Sequence, residues 1–165
     1  MKVVSDSSPL ITLAKIEQLE LLPQLYGRIA ITPQVYREVV VGGEGLAGSS
    51  EIKAAKWIDV ESVGNADDLA EVQQVSGLGI GELSAIQLGR ETRADLVLLD
   101  ETKARKIALG HGLTVLGCVG ILEDAFGLRL LTDLRKTYQG LLAAGAYVDP
   151  RILENSLKSL NLPLL

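Results

Sequence analysis

Cysteine and histidine are nearly missing from this chain, with Cys118 and His111 the single representatives of each. One cysteine permits neither an internal disulfide framework nor a cysteine-rich zinc site. One histidine, set between Gly110 and Gly112 where a helix should end, gives little support to Ser/His/Asp catalysis or a histidine-rich metal site. No apolar stretch is long enough to span a bilayer, so no membrane association is expected. Asp6 interrupts the N-terminal apolar run too early for a secretory signal, which points to the cytoplasm. Excess base is also lacking. Against 21 acids stand 16 bases, a formal net charge of −5, which argues against a general basic surface for nucleic acid. Bases do cluster locally: Lys103, Arg105 and Lys106 follow Asp100, and Arg90 and Arg93 precede its strand. Their commonest explanation is a solvated helix face. Internal repeats and low-complexity segments are absent.

What remains is a globular composition, 47% apolar and 22% charged, over 165 residues. That length suggests one domain, residues 1–165, with a sizeable core. Val3 to Ser5 reads as a short strand, after which Ser7 or Ser8 can cap a helix and Pro9 suits its first turn. A second short helix carries Leu19 to Leu25 and ends at Gly27. Ile29 to Ile31 reads as a buried strand, and Thr32-Pro33 opens a helix holding Val35, Glu38, Val39 and Val40. Residues 42 to 50, rich in glycine and serine, read as a mobile loop. Glu51 to Trp57 reads as helix, Ile58 to Val63 as strand, and Asp67 to Val75 as helix. Gly77-Leu78-Gly79-Ile80-Gly81 fails as a phosphate loop, because helix precedes it and no Lys-Ser/Thr follows. It reads instead as a tight turn into a helix over Gly81 to Thr92.

Ala94 to Leu99 is the clearest strand, and its continuous apolar run fits a parallel strand covered on both faces. Thr102 to Leu109 follows as helix and Leu113 to Leu116 as strand. A mostly helical C-terminal extension, about 119 to 165, has breaks at Gly127, Gly145 and Pro150. Strands alternating with helices imply a three-layer α/β domain, a parallel sheet between helices.

Four acids stand at the ends of these elements: Asp6, Glu38, Glu82 and Asp100. Ligands of open parallel sheets bind beyond the carboxyl ends of the strands, where Asp6 and Asp100 stand. Glu38 and Glu82 lie in the first two turns of helices that begin at a sheet edge. Carboxylates gathered there would repel, and protonation or a cation would relieve them. Mg²⁺ or Mn²⁺ prefers such oxygen ligands and suits phosphodiester hydrolysis. Plainer explanations stand beside this one. Asp6 and Asp100 suit helix caps, Glu82 complements a helix N-terminus, and Glu38 suits a solvated helix face. A phosphoacceptor role for Asp100 would leave Glu38 and Glu82 without a task.

The ordered set resembles a known family. It comprises Val3-Val4-Ser5-Asp6-Ser7-Ser8-Pro9-Leu10-Ile11, Ile31-Thr32-Pro33-Gln34-Val35-Tyr36-Arg37-Glu38-Val39, Gly79-Ile80-Gly81-Glu82-Leu83-Ser84-Ala85-Ile86 and Ala94-Asp95-Leu96-Val97-Leu98-Leu99-Asp100-Glu101. Leu113-Thr114-Val115-Leu116-Gly117 and the Leu141-Leu142-Ala143-Ala144-Gly145 region extend it. These segments are similar to the PIN-domain superfamily of metal-dependent nucleases, closest to a prokaryotic branch catalogued as domain of unknown function 3368. The resemblance implies an acidic pocket of Asp6, Glu38, Glu82 and Asp100 that binds Mg²⁺ or Mn²⁺ and acts as the catalytic set. It implies single-stranded RNA as substrate, often with the protein acting as the toxin of a toxin–antitoxin pair. A small antitoxin protein and homo-oligomers would then be its partners. Many superfamily members carry Asp where Glu82 stands, and many follow the first acid with Thr where this chain has Ser7. Glu101 is a further candidate ligand. The alternative is a catalytically silent PIN-like module that binds RNA or a partner protein.

Overall fold

Alternation of side chains along five short strands decides the layering. The computed structural model describes residues 1–65 and 68–165, excluding the side chains of Asp68 and Glu71. Strands β1 (Val3–Ser5), β2 (Ile29–Ile31), β3 (Ile58–Val60), β4 (Leu96–Leu98) and β5 (Val115–Leu116) form one parallel sheet in the order β3-β2-β1-β4-β5. Successive residues of a strand point to opposite faces. Val3, Ile29, Ile31 and Leu98 therefore join one buried cluster, while Val4, Ala30, Val97 and Leu99 join another. This explains why the strands read as continuous apolar runs: both faces are covered.

The first face is covered by α1 (Ser7–Lys15), α2 (Leu21–Tyr26), α3 (Pro33–Tyr36), α4 (Ser49–Ala54) and α8 (Cys118–Gly127), through residues such as Leu10, Leu22, Val35, Ile52 and Leu122. The second is covered by α5 (Asp68–Ser76), α6 (Ile80–Thr92) and α7 (Thr102–Gly110), through Leu69, Leu83, Ile86, Ala104 and Ala108. Helices α9 (Leu134–Ala143) and α10 (Pro150–Ser159) pack on α8 and on each other. There the buried Tyr138 hydroxyl meets Ser156 Oγ at 2.7 Å, and Ser156 also donates to Glu123. The sheet with helices on both sides agrees with the three-layer expectation. Among the described residues no helix is long and apolar enough to cross a membrane.

Several local expectations need correcting. Ser7 and Ser8 lie inside α1 and do not cap it; Asp6 occupies the cap position, with φ −78° and ψ 172°. Residues 42–48 form hydrogen-bonded turns, and Ser49 and Ser50 already belong to α4. Ser49 Oγ, buried, donates to the Val40 carbonyl at 3.0 Å. Pro150 opens α10 as its first residue, where its missing N–H has no intrahelical partner to lose, so the expected break falls on residues 144–149 just before it. The expected helix start at Asp67 lies outside the described residues. Gly27 does end α2, with a φ of +73° that favours glycine.

Candidate metal centre

Asp6 stands one residue beyond β1, and its N–H donates to the Leu98 carbonyl at 3.0 Å, extending the ladder to β4 by one step. That bond carries the residue to the carboxyl edge of the two central strands. The residue is 2% exposed, and its carboxyl makes no regular cap hydrogen bond to α1. Burial pushes its pKa up to about 7. The N–H groups of Ser7 and Ser8 offset part of that shift, while the charges of Glu82 and Glu38 add to it.

Glu38 arrives from the next crossover. Thr32 caps α3 by accepting from Val35 N at 3.1 Å, and Pro33 sits at the first helical position. The helix then widens into a π-helical turn over Arg37–Val41, with Gly42 N donating to the Arg37 carbonyl at 2.7 Å. Such a turn inserts a residue and re-aims what it carries. Here it carries Glu38, whose Oε2 accepts from Ser7 Oγ at 2.7 Å and whose Oε1 accepts from Gly81 N at 3.1 Å. The same Ser7 hydroxyl lies 3.4 Å from Asp6 Oδ1, so it bridges the two acids.

Gly81 is the reason this approach is possible. A Cβ there would sit 2.6 Å from Glu38 Oε1 and closer still to Oε2. A buried hydroxyl relay holds the two helices at that distance. Ser84 Oγ donates to the Gly81 carbonyl at 2.8 Å, leaving Thr32 Oγ1 to donate to Ser84 Oγ at 2.6 Å. Glu82, the next residue, bends back so that its Oε2 accepts from Gly79 N at 2.8 Å, closing the open end of α6. Burial raises its pKa, and the charges of Glu101 and Glu38 raise it further.

Asp100, two residues beyond β4, is turned toward α8. Its Oδ1 accepts from Cys118 N at 2.7 Å and its Oδ2 from Cys118 Sγ at 3.0 Å. Burial drives the Cys118 pKa well up, and the Asp100 charge and hydrogen bond drive it further, so the sulfur stays a protonated donor. The structure thus brings Asp6, Glu38 and Glu82 within electrostatic reach of one another, and holds Asp100 on the N-terminus of α8. Glu101 is exposed and caps α7, accepting from Ala104 N at 2.6 Å. His111 lies at the C-terminal end of α7, away from all of these.

The donor set suits a hard divalent cation: carboxylate oxygens, no imidazole, and no Lys or Arg ion-paired to any of the four acids among the described residues. Asp6 is the sharpest point of fit, a buried carboxyl made harder to ionise by two like charges. Among the described residues, however, no three His, Cys, Asp or Glu side chains converge closely enough to hold an ion as they stand. Glu38, Glu82 and Asp100 each accept from an N–H at a helix start, and the Asp6 carboxyl also faces the N–H groups that open α1. The part played by Ser7, Gly81 and Cys118 was not legible in the sequence, where Gly81 read only as a turn residue and Ser7 as a cap. The one available signal was the glycine directly before Glu82.

If Asp100 is a ligand, the Cys118 thiol orients it. Cys118→Ala leaves Oδ2 unheld and is expected to weaken Mn²⁺ binding about tenfold, the usual loss when a group behind a ligand is removed. Cys118→Ser keeps a donor and should stay near the unmodified protein. Calorimetric titration of both variants checks this.

A five-stranded parallel sheet with helices on both faces, and with Asp6 and Asp100 just beyond the carboxyl ends of its two central strands, defines an α/β domain. The family model of domain of unknown function 3368, described as a PIN domain, matches residues 2–162, and the chain belongs to that family. PIN domains are generally nucleases and typically use divalent metals. No curated protein matches the chain significantly. Among solved structures, the crystal structure of PAE2754 from Pyrobaculum aerophilum superposes with a TM-score of 0.49 at 12% identity, covering 79% of this chain and 95% of that one.

Proposed function

We propose that the chain is a Mg²⁺- or Mn²⁺-dependent endoribonuclease that hydrolyses phosphodiester bonds of single-stranded RNA. The observation that carries this reading is Asp6, a buried carboxyl facing the charges of two other acids and paired with no Lys or Arg among the described residues. Asp6, Glu38, Glu82 and Asp100 would hold the metal. When bound, a divalent cation supplies charge stabilisation as phosphodiester cleavage proceeds. The chain's own contribution is orientation. Ser7 keeps Asp6 and Glu38 together, Gly81 admits Glu38 to the rim, and Cys118 fixes both oxygens of Asp100. With a pKa pushed up to about 7, Asp6 can gain or lose a proton near neutrality as ligands come and go. A toxin role, with a small antitoxin protein as partner, is the biological setting in which such an activity would be held in check.

The silent binding module has one observation on its side, the absence of a ready-made three-residue metal cluster among the described residues. One experiment separates the readings. Labelled single-stranded RNA is incubated with the purified protein in Mn²⁺, in Mg²⁺ and in chelator. Cleavage that needs the metal and stops in chelator is the expected result. Inert protein across several RNAs, with no metal binding by calorimetry, would hand the lead to the silent module.

A further inference from the structure

We infer that Arg105, with Lys103 in support, grips the phosphodiester backbone beside the carboxylates, an assignment that rests on the nuclease reading above. By sequence the basic residues after Asp100 looked like one solvated helix face. The structure divides them. Ala104 and Ala108 are buried and turn α7 onto the sheet, so residues one position to either side of Ala104 leave on opposite flanks of the helix. Lys106 is exposed, about 200° around the helix from Ala104, and fits the solvated reading. Arg105 does not. It is half-buried, and its Nη1 donates to the Leu99 carbonyl at 3.1 Å.

Gly117 shows how close this guanidinium comes to the acids. A Cβ at Gly117 would stand 2.7 Å from Arg105 Nη1 and 2.9 Å from Asp100 Oδ1. The cation and the carboxylate therefore share one gap, kept open by the missing side chain. They do not pair: among the described residues the ion pairs are Lys2–Glu61, Arg28–Asp59 and Arg151–Asp149. Guanidinium has five N–H donors, and among the described residues only one is engaged, by a neutral carbonyl. A group so anchored, with its remaining fork free beside an acidic rim, matches the bidentate geometry of a phosphate.

Lys103 borders the other flank. A Cβ at Gly77 would lie 3.3 Å from Lys103 Nζ. Gly77 stands two residues before Gly79, whose N–H holds Glu82. One cation thus neighbours the Glu82 turn and the other neighbours Asp100. A polyanion approaching a chain of net charge −5 needs local positive charge of this kind to settle against carboxylates.

The test is fluorescence anisotropy with a short, labelled 2′-O-methyl oligoribonucleotide, checked on a gel to be intact after each titration, in Mg²⁺ over a range of salt. Arg105→Gln is expected to bind about tenfold more weakly, the scale of a lost charged hydrogen bond. Its salt dependence should be shallower by about 0.7 in log–log slope, one single-strand phosphate contact fewer. Arg105→Lys should recover the slope but not the full affinity, and Lys106→Gln should match the unmodified protein. If the unmodified protein binds and Arg105→Gln matches it in affinity and slope, the assignment is overturned and the nuclease reading stands. Should the Gln variant lose its fold, Arg105→Lys decides, and unchanged affinity there counts against the guanidinium. No binding by the unmodified protein overturns the assignment, and the nuclease reading is then decided separately by the cleavage assay and metal calorimetry described above.

Discussion

Asp6→Asn is expected to all but remove metal-dependent RNA cleavage, leaving roughly a thousandth of it, while making the metal-free protein more stable at neutral pH. The two effects share one cause. The folded protein raises the Asp6 pKa from 3.8 to about 7, chiefly by burial. A carboxyl raised in this way favours folding only while protonated. The fold therefore carries no penalty from it below about pH 4, an increasing one between pH 4 and 7, and the full one above pH 7. A shift of that size corresponds to about 4 kcal/mol. Urea denaturation in chelator should show the unmodified protein losing stability from pH 4 to 8. Asp6→Asn should lack most of that loss and exceed the unmodified protein at pH 8. Added Mn²⁺ should stabilise the unmodified protein at pH 8 and leave the variant unchanged. Cleavage should fall roughly a thousandfold, the scale of several kcal/mol of lost charge stabilisation. A variant that cleaves at the original rate in Mn²⁺ removes Asp6 from the catalytic set.

Gly81→Ala should separate site from fold even more cleanly. Its new methyl must displace the Glu38 carboxylate, since the Cβ position lies 2.6 Å from Oε1, and the Gly81 N–H bond to that oxygen goes with it. Nothing else lies as close, and the substitution suits a helix, where alanine exceeds glycine by about 0.5–1 kcal/mol. Stability by urea denaturation should therefore hold or rise slightly. Mn²⁺ affinity by calorimetry should drop about ten- to a hundredfold, the range seen when the support of a ligand is removed. In a Glu38→Ala background the same substitution should have no further effect on affinity, because the displaced group is already gone. A full second loss there would mean that Gly81 acts through something other than Glu38.

These two residues also mark the border of what could be read in advance. Asp6 was visible because a carboxylate closing an apolar run and preceding Ser7-Ser8-Pro9 must sit where a strand meets a helix. Gly81 was visible only as a turn, since its service to Glu38 spans 43 positions and depends on α3 and α6 being packed side by side. The Thr32 to Ser84 relay that enforces this packing was equally hidden; Thr32 read only as a cap. Ser7 and Ser8 were misplaced by one step, because Asp6 took the cap position itself. Arg105 and Lys106, neighbours in sequence, were given one explanation, yet helical rotation sends them to different surroundings.

Local preferences act over a few residues, and so the sequence alone determined where strands and helices fall. Its apolar runs required a sheet covered on both faces, and its punctuation put four acids at element ends. Tertiary structure alone decided the strand order, the π-helical turn that aims Glu38, and the gaps at Gly81 and Gly117 through which distant side chains meet. It also set the charge state of Asp6, because a pKa depends on burial and on neighbours that only the folded chain brings together.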